Sequence, residues 1–205
     1  MAQAIFKSWF VDFEPTKPFT AVIQVLGGGT PKTTNEEYWG GFVPFFTPKD
    51  AVATYVLATE KFLTETGLNN CNSRLYPVNT VFVTARGTVG KLALAGVPMA
   101  MNQSCYALIG HDGYGQHFVY HLALQTVENL KHKASGAVFD AIVTRDFESE
   151  IVPAPPIEAV KIFEAKVKPI YDAILNTTPT YIVVSLQFFR HHVWHDNRDP
   201  MSRHR

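Results

Sequence analysis

The chain is poor in several things that would have assigned it quickly. Its 205 residues hold only two cysteines, Cys71 and Cys105, too few for a disulfide framework and without metal-type spacing, so a reducing, cytoplasmic setting is the plain reading. No apolar run reaches the length of a membrane helix. The longest near the C-terminus, residues 181–189, is too short and is interrupted by Ser185 and Gln187, so no membrane association is expected. Lys7 and Asp12 break what would have to be a signal-peptide core. Charge of one sign is also missing: 18 basic and 18 acidic residues balance, which argues against coating nucleic acid non-specifically and leaves a localised basic face open. Nucleotide-binding loops fail on pattern. Gly27-Gly28-Gly29-Thr30 leads to Lys32-Thr33 through Pro31, where a P-loop requires glycine, and TARGTVGK has Ala85 where the first glycine belongs and Leu92 after the lysine.

What is present is ordinary globular material, long enough for one domain and an appendage. The organising stretch is VFVTARGTVGKLALAGVPMAMNQSCY, residues 81–106. Apolar runs bounded by glycines read as buried strands joined by tight turns, so polar groups gather at strand ends. Those groups are Thr84, Arg86, Lys91, Asn102 and Gln103. Arginine and lysine suit phosphates or guanine edges, and asparagine or glutamine can pair with adenine, which is the chemistry of a nucleic-acid reader. Cys105 lies inside an apolar strand-like run and reads as inert packing.

Four ordered segments carry a resemblance: GGTPKTTNEEYWGGFVPFFTPKD, TARGTVGKLALAG, MNQSCYAL, and HKASGAVFDAIVTRDFES with the PAPPIE after it. Together they resemble the target-recognition domain of a type I restriction-modification specificity subunit, over residues 1–176. The resemblance implies an α+β (mixed α/β) fold, a compact β-rich recognition domain followed by a long coiled-coil-type helix. It implies residues 1–14 as a spacer-helix remnant, 15–154 as the DNA-binding domain, 155–176 as a spacer helix and 177–205 as an atypical tail. Its partners would be double-stranded DNA, a modification (methyltransferase) subunit and a restriction subunit. The chain itself would be non-catalytic, without cofactor or metal. An Asn/Asp-Pro-Pro-Tyr/Phe methyltransferase motif is missing, since Pro155-Pro156 is flanked by Ala154 and Ile157.

The expected DNA contacts are Lys32, Thr33, Lys49, Arg74, Thr84, Arg86, Lys91, Asn102, Gln103, Lys131, Lys133 and Ser135. For several of them a structural role competes. Arg86 could pin its turn through an ion pair. Lys131 and Lys133, at the end of a helix over residues 118–130, suit the helix dipole as well as phosphates. Residues 69–74, NNCNSR, are either solvated turn or adaptable reader loop. Tyr38 and Trp39, after the Asn35 cap, are buried anchors or stacking platforms. His111, Asp112, His117 and His121 fit no familiar metal spacing.

Two helices pose a packing problem. In MAQAIFKSWFVDFEP, Ile5 and Trp9 share a face, and Phe6, Phe10 and Phe13 add more apolar surface than a short helix can bury alone, so a cover from outside the segment is expected. Over residues 157–175, Val160, Phe163, Val167, Ile170 and Ile174 recur at spacings 3, 4, 3, 4, a coiled-coil seam that asks for a partner helix and that a second copy could supply. Pro169 should kink or weaken that helix. FVPFFTPKD is expected to be an edge strand because Pro44 and Pro48 lack donors, and residues 54–62 a strand or short helix.

Overall fold

Proline, glycine and short apolar runs divide the chain into many brief elements, and the computed structural model, which describes residues 1–10, 12–134 and 139–178, has an α+β fold. Helix α1 (Ala2–Phe10) is followed by strand β1 (Pro15–Pro18), the single turn α2 (Phe19–Val22) and β2 (Ile23–Gly27). Asn35 accepts from the Glu37 amide and starts a 3-10 turn that leads into β3 (Trp39–Phe46). Then come β4 (Tyr55–Val56), β5 (Lys61–Leu63), α3 (Glu65–Asn69), β6 (Val81–Thr84), β7 (Leu92–Ala95), β8 (Ala100–Met101) and β9 (Cys105–Gly110). Helix α4 (Gln116–Lys133), α5 (Thr144–Ser149), β10 (Ile151–Pro153) and α6 (Ile157–Thr177) complete the described chain.

The main sheet has the order β2-β9-β6-β7-β4, antiparallel except for the parallel β4–β7 pair. It is covered on both faces, which is why every residue of β6 is buried. Val81 and Val83 face α4 and join Phe118, Leu122 and Val127, while Phe82 faces the other way toward Phe46, Tyr76 and Met99. The second face is covered by a small sheet of order β5-β3-β8. A third pairing, β1 with β10, ties the two ends of the domain together.

Three expectations about these elements change. The segment FVPFFTPKD supplies the middle strand of the small sheet, not an edge. Pro44 is tolerated because the ladder to β8 begins only at Phe45, so the proline has a partner only on the β5 side, at Phe62. Residues 54–62 contribute to two strands in different sheets, β4 and the start of β5, rather than to one element. Pro169 lies inside α6, which runs on to Thr177. The carbonyl that it deprives of a donor belongs to Ala165, and both residues are exposed on the solvent side of the helix.

The third change concerns what covers the two helices. Val160, Phe163 and Val167 are fully buried within this chain, against α1 and α4. Phe163 meets the rings of Phe10 at 5.4 Å, Phe6 at 5.8 Å, Trp9 at 6.3 Å and Phe118 at 6.5 Å. Ile170 and Ile174 are half-buried at the margin of the same core. On α1 the buried stripe is Ala2, Phe6 and Phe10, and Ile5 and Trp9 are only half-buried. The seam and the N-terminal helix therefore cover each other at Val160, Phe163 and Val167.

A buried polar staple holds α6 to α4. The Glu164 carboxylate bonds His117 Nδ1 at 2.7 Å and accepts from the Phe118 amide at 2.7 Å, so it serves the first turn of α4, where an anion suits the helix dipole. The Tyr171 hydroxyl bonds His121 Nε2 at 2.8 Å, and its ring stacks on His117 at 4.1 Å. Burial pushes the Tyr171 and Tyr55 hydroxyls well above the ordinary tyrosine range.

Candidate nucleic-acid interface

Strand order alone brings the polar loops together. Gly27 at the end of β2 lies opposite Tyr106 near the start of β9, and Thr84 at the end of β6 lies opposite Cys105. Leu92 at the start of β7 lies opposite Val83, and β4 begins beside Leu94 of β7. Five segments, distant in sequence, therefore issue from one end of the main sheet.

Hydrogen bonds knit these segments. The amides of Ala85 and Arg86 donate to Ser104 O at 2.8 and 3.3 Å, and the Gly29 amide donates to Met101 O at 3.2 Å. Thr88 Oγ1 donates to Pro48 O at 3.4 Å, and Lys131 Nζ reaches Gly90 O at 3.3 Å. The triple glycine permits the closest approach: a Cβ on Gly28 would lie 2.1 Å from Asn102 O, and one on Gly29 would lie 2.6 Å from Asn72 N. Met101 N also donates to Ser73 Oγ at 3.0 Å, which draws the loop carrying Arg74 onto the same end.

The surface so built carries Lys32, Arg74, Arg86, Lys91 and Lys131, all exposed and, among the described residues, without an acidic partner at ion-pair distance. Thr33 and Gln103 are exposed beside them, and Asn102 is half-buried. Asp140 is exposed on the segment that bridges Arg86 through Ala141. Overall neutrality thus hides a segregated cationic rim, a form suited to a polyanion.

A family description, type I restriction modification DNA specificity domain, matches residues 12–182. The chain belongs to that family. It is 33% identical to the type I restriction enzyme MjaIX specificity subunit of Methanocaldococcus jannaschii over 76% of this chain and 36% of that protein. It is 29% identical to the EcoR124I/EcoR124II specificity subunit of Escherichia coli over 74% of this chain and 39% of that protein. Hence the chain spans well under half the length of these relatives. The solved HsdS subunit from Thermoanaerobacter tengcongensis shares the fold, with a TM-score of 0.58 and 15% identity over 94% of this chain and 49% of that one. A structure described as bearing on complex assembly of the type I R-M system is similar at a TM-score of 0.57, 16% identity, 92% of this chain and 49% of that one.

Not every residue expected at a DNA surface of this specificity domain reaches the rim. Thr84 is fully buried, and its hydroxyl bonds Thr88 O while accepting from the Lys91 amide at 2.9 Å, so it shapes the turn that presents Arg86 and Lys91. Lys49 is exposed but paired with Glu60 at 3.5 Å. Lys133 donates to the buried Glu150 at 2.5 Å, an acceptor with almost no exposure. Ser135 lies outside the described residues. Trp39 is an anchor: it meets Phe45 at 5.4 Å, and its Nε1 donates to Lys32 O at 3.4 Å. His117 and His121 belong to the staple between α4 and α6 described above. Sequence reading passed over Thr30 and Ser73, whose importance follows only from which loops they touch. The triple glycine ahead of Thr30 was the available signal, since such a run marks close backbone approach as readily as a turn.

Lys133 makes a separable prediction. Lys133→Ala leaves a buried carboxylate without its donor and is expected to lower stability by about 1–3 kcal/mol, measured by urea unfolding. An unchanged midpoint would show that the pair is incidental.

Proposed function

We propose that this chain reads one half of a bipartite double-stranded DNA target through the loop end of the main sheet. In this reading it recruits methyltransferase and endonuclease subunits, which perform the chemistry, and is itself non-catalytic and needs no cofactor. The rim of five cations around Asn102 and Gln103 carries the proposal. Family membership supports it, because the matched domain is a DNA specificity domain. Residues 15–154 would be the reading part, and α6 with the α1 segment would be the piece that sets its place in a larger assembly. A cytoplasmic location fits this role, and no described helix is long and apolar enough to cross a membrane.

The test is fluorescence anisotropy with a random-sequence duplex pool at two salt concentrations, on the full chain alone and then with a modification subunit. Arg86→Ala with Lys91→Ala is expected to weaken binding on all sequences and to flatten the slope of log K against log salt by about two, since each lost phosphate contact removes roughly 0.9. Unchanged affinity and slope would remove these residues from the interface. The rival reading, a self-associating remnant that does not bind DNA tightly, relies on the α6 seam, and its burial within the chain weighs against that reading. Sedimentation that changes with concentration, in a protein that ignores DNA, would restore it.

A further inference from the structure

The connection from β6 to β7 departs from a regular hairpin at one place. Thr84 N donates to Lys91 O at 2.9 Å, in line with the register of the two strands, but Thr84 O accepts from the Gly90 amide at 2.8 Å. Gly90 has φ +76°, so a glycine in the left-handed region and the lysine after it lie together opposite one residue. That is a glycine β-bulge, which bends its strand and re-aims a side chain on it. The Lys91 amide has lost its place in the ladder, and it donates to Thr84 Oγ1 at 2.9 Å. Thr84 is fully buried at the end of a strand whose other residues, Val81, Phe82 and Val83, are apolar. A hydroxyl buried there is costly unless it is bonded. The displaced amide is what it serves.

Helix α4 packs on the same bulge. Lys131 Nζ reaches Gly90 O at 3.3 Å, and a Cβ on Gly90 would lie 2.6 Å from Lys131 Cε and 2.7 Å from Val127 Cγ1. Both the backbone angle and this contact call for glycine. We propose that Thr84 is a positioning residue for DNA binding: its hydroxyl locks the Gly90-Lys91 bulge and so holds the exposed Lys91 in the rim, ready for a phosphate. This rests on the DNA-reading function proposed above. The backbone of Lys91 is ordered when the chain folds, so less freedom is lost when a polyanion binds. Thr84 touches no DNA itself and acts through Lys91.

Thr84→Val, Lys91→Ala and the two together, each first shown to be folded by urea unfolding, are compared with the original chain by fluorescence anisotropy on the random duplex pool over a range of salt. Thr84→Val, which keeps the shape and removes the hydroxyl, is expected to weaken binding and to flatten the slope of log K against log salt by up to about 0.9, the share of one phosphate contact. Thr84→Ser should restore both. In the double variant Thr84→Val should add nothing to the loss from Lys91→Ala, because the two act on one contact. A threonine that serves stability alone would lower the urea midpoint and leave affinity and slope unchanged, and that result overturns the inference. A loss that adds in full to that of Lys91→Ala overturns it too. If Thr84→Val does not fold, Gly90→Ala, which strains the same bulge, is judged by the same criteria. Salt-sensitive binding by the original chain leaves the DNA-reading function standing whichever way Thr84→Val falls, and no such binding, alone or with a modification subunit, overturns both.

Discussion

Phe163→Ala is expected to lower the unfolding free energy by roughly 3–5 kcal/mol, a large part of the total for a domain of this size. The side chain is fully buried, and the rings of Phe6, Trp9, Phe10, Phe118 and His121 surround it at 5.4–6.5 Å. Removing it opens a cavity where α1, α4 and α6 meet, and rings fixed by several neighbours collapse poorly into such a space. Ile162, one residue away and 61% exposed, is the control: Ile162→Ala should change stability by about 0.5 kcal/mol or less. Urea unfolding followed by circular dichroism reads both. A seam that served an external helix would behave otherwise, with Phe163→Ala leaving the midpoint unchanged and altering only the sedimentation.

Acid should destabilise the fold well before carboxylates are exhausted. His121 is buried, and burial, with His117 as the next largest influence, holds its imidazole down to about 4 from an ordinary 6.5. Its environment explains the direction. Nε2 meets the Tyr171 hydroxyl, Nδ1 has no partner among the described residues, and Phe6 stacks on the ring at 5.3 Å, so a second proton would find no acceptor. Below pH 6.5 the unfolded chain takes up a proton that the folded chain refuses, and stability therefore falls as pH falls. The loss begins near 6.5, grows to about 4, and amounts at its limit to roughly 3 kcal/mol. His121→Phe, which keeps the ring and loses the titration, should flatten the stability profile between pH 4 and 6.5. A profile as steep as that of the original chain would assign the acid sensitivity elsewhere.

These two results turn on contacts that differ in how readable they were. The period of Val160, Phe163 and Val167 identified a buried stripe on α6 correctly, because side-chain period follows backbone geometry and needs no knowledge of the neighbour. It could not say what lay opposite, and the cover proved to be α1 and α4 of the same chain. Pro44 shows the same division. Its missing donor was certain from the sequence, but whether that excluded a central strand depended on where the ladder to β8 begins. The histidine and tyrosine staple was illegible, since no spacing in the chain announces that Glu164 will meet His117.

The candidate site divides along the same line. Strand VFVT, its bounding glycines and the polar residues after it could be read directly, and so could the family, because ordered motifs are properties of the chain itself. Local turns such as that of Asn102 on Ser104 also belong to the sequence, since two residues suffice to make them. Only the tertiary structure decided that the ends of β2 and β6 and the starts of β4, β7 and β9 share one rim, that Lys133 serves Glu150, that Thr84 is enclosed, and that Thr30 holds Gln103. Each of those depends on strand order and on contacts across many residues, and periodicity fixes which face of an element is buried without fixing its neighbour.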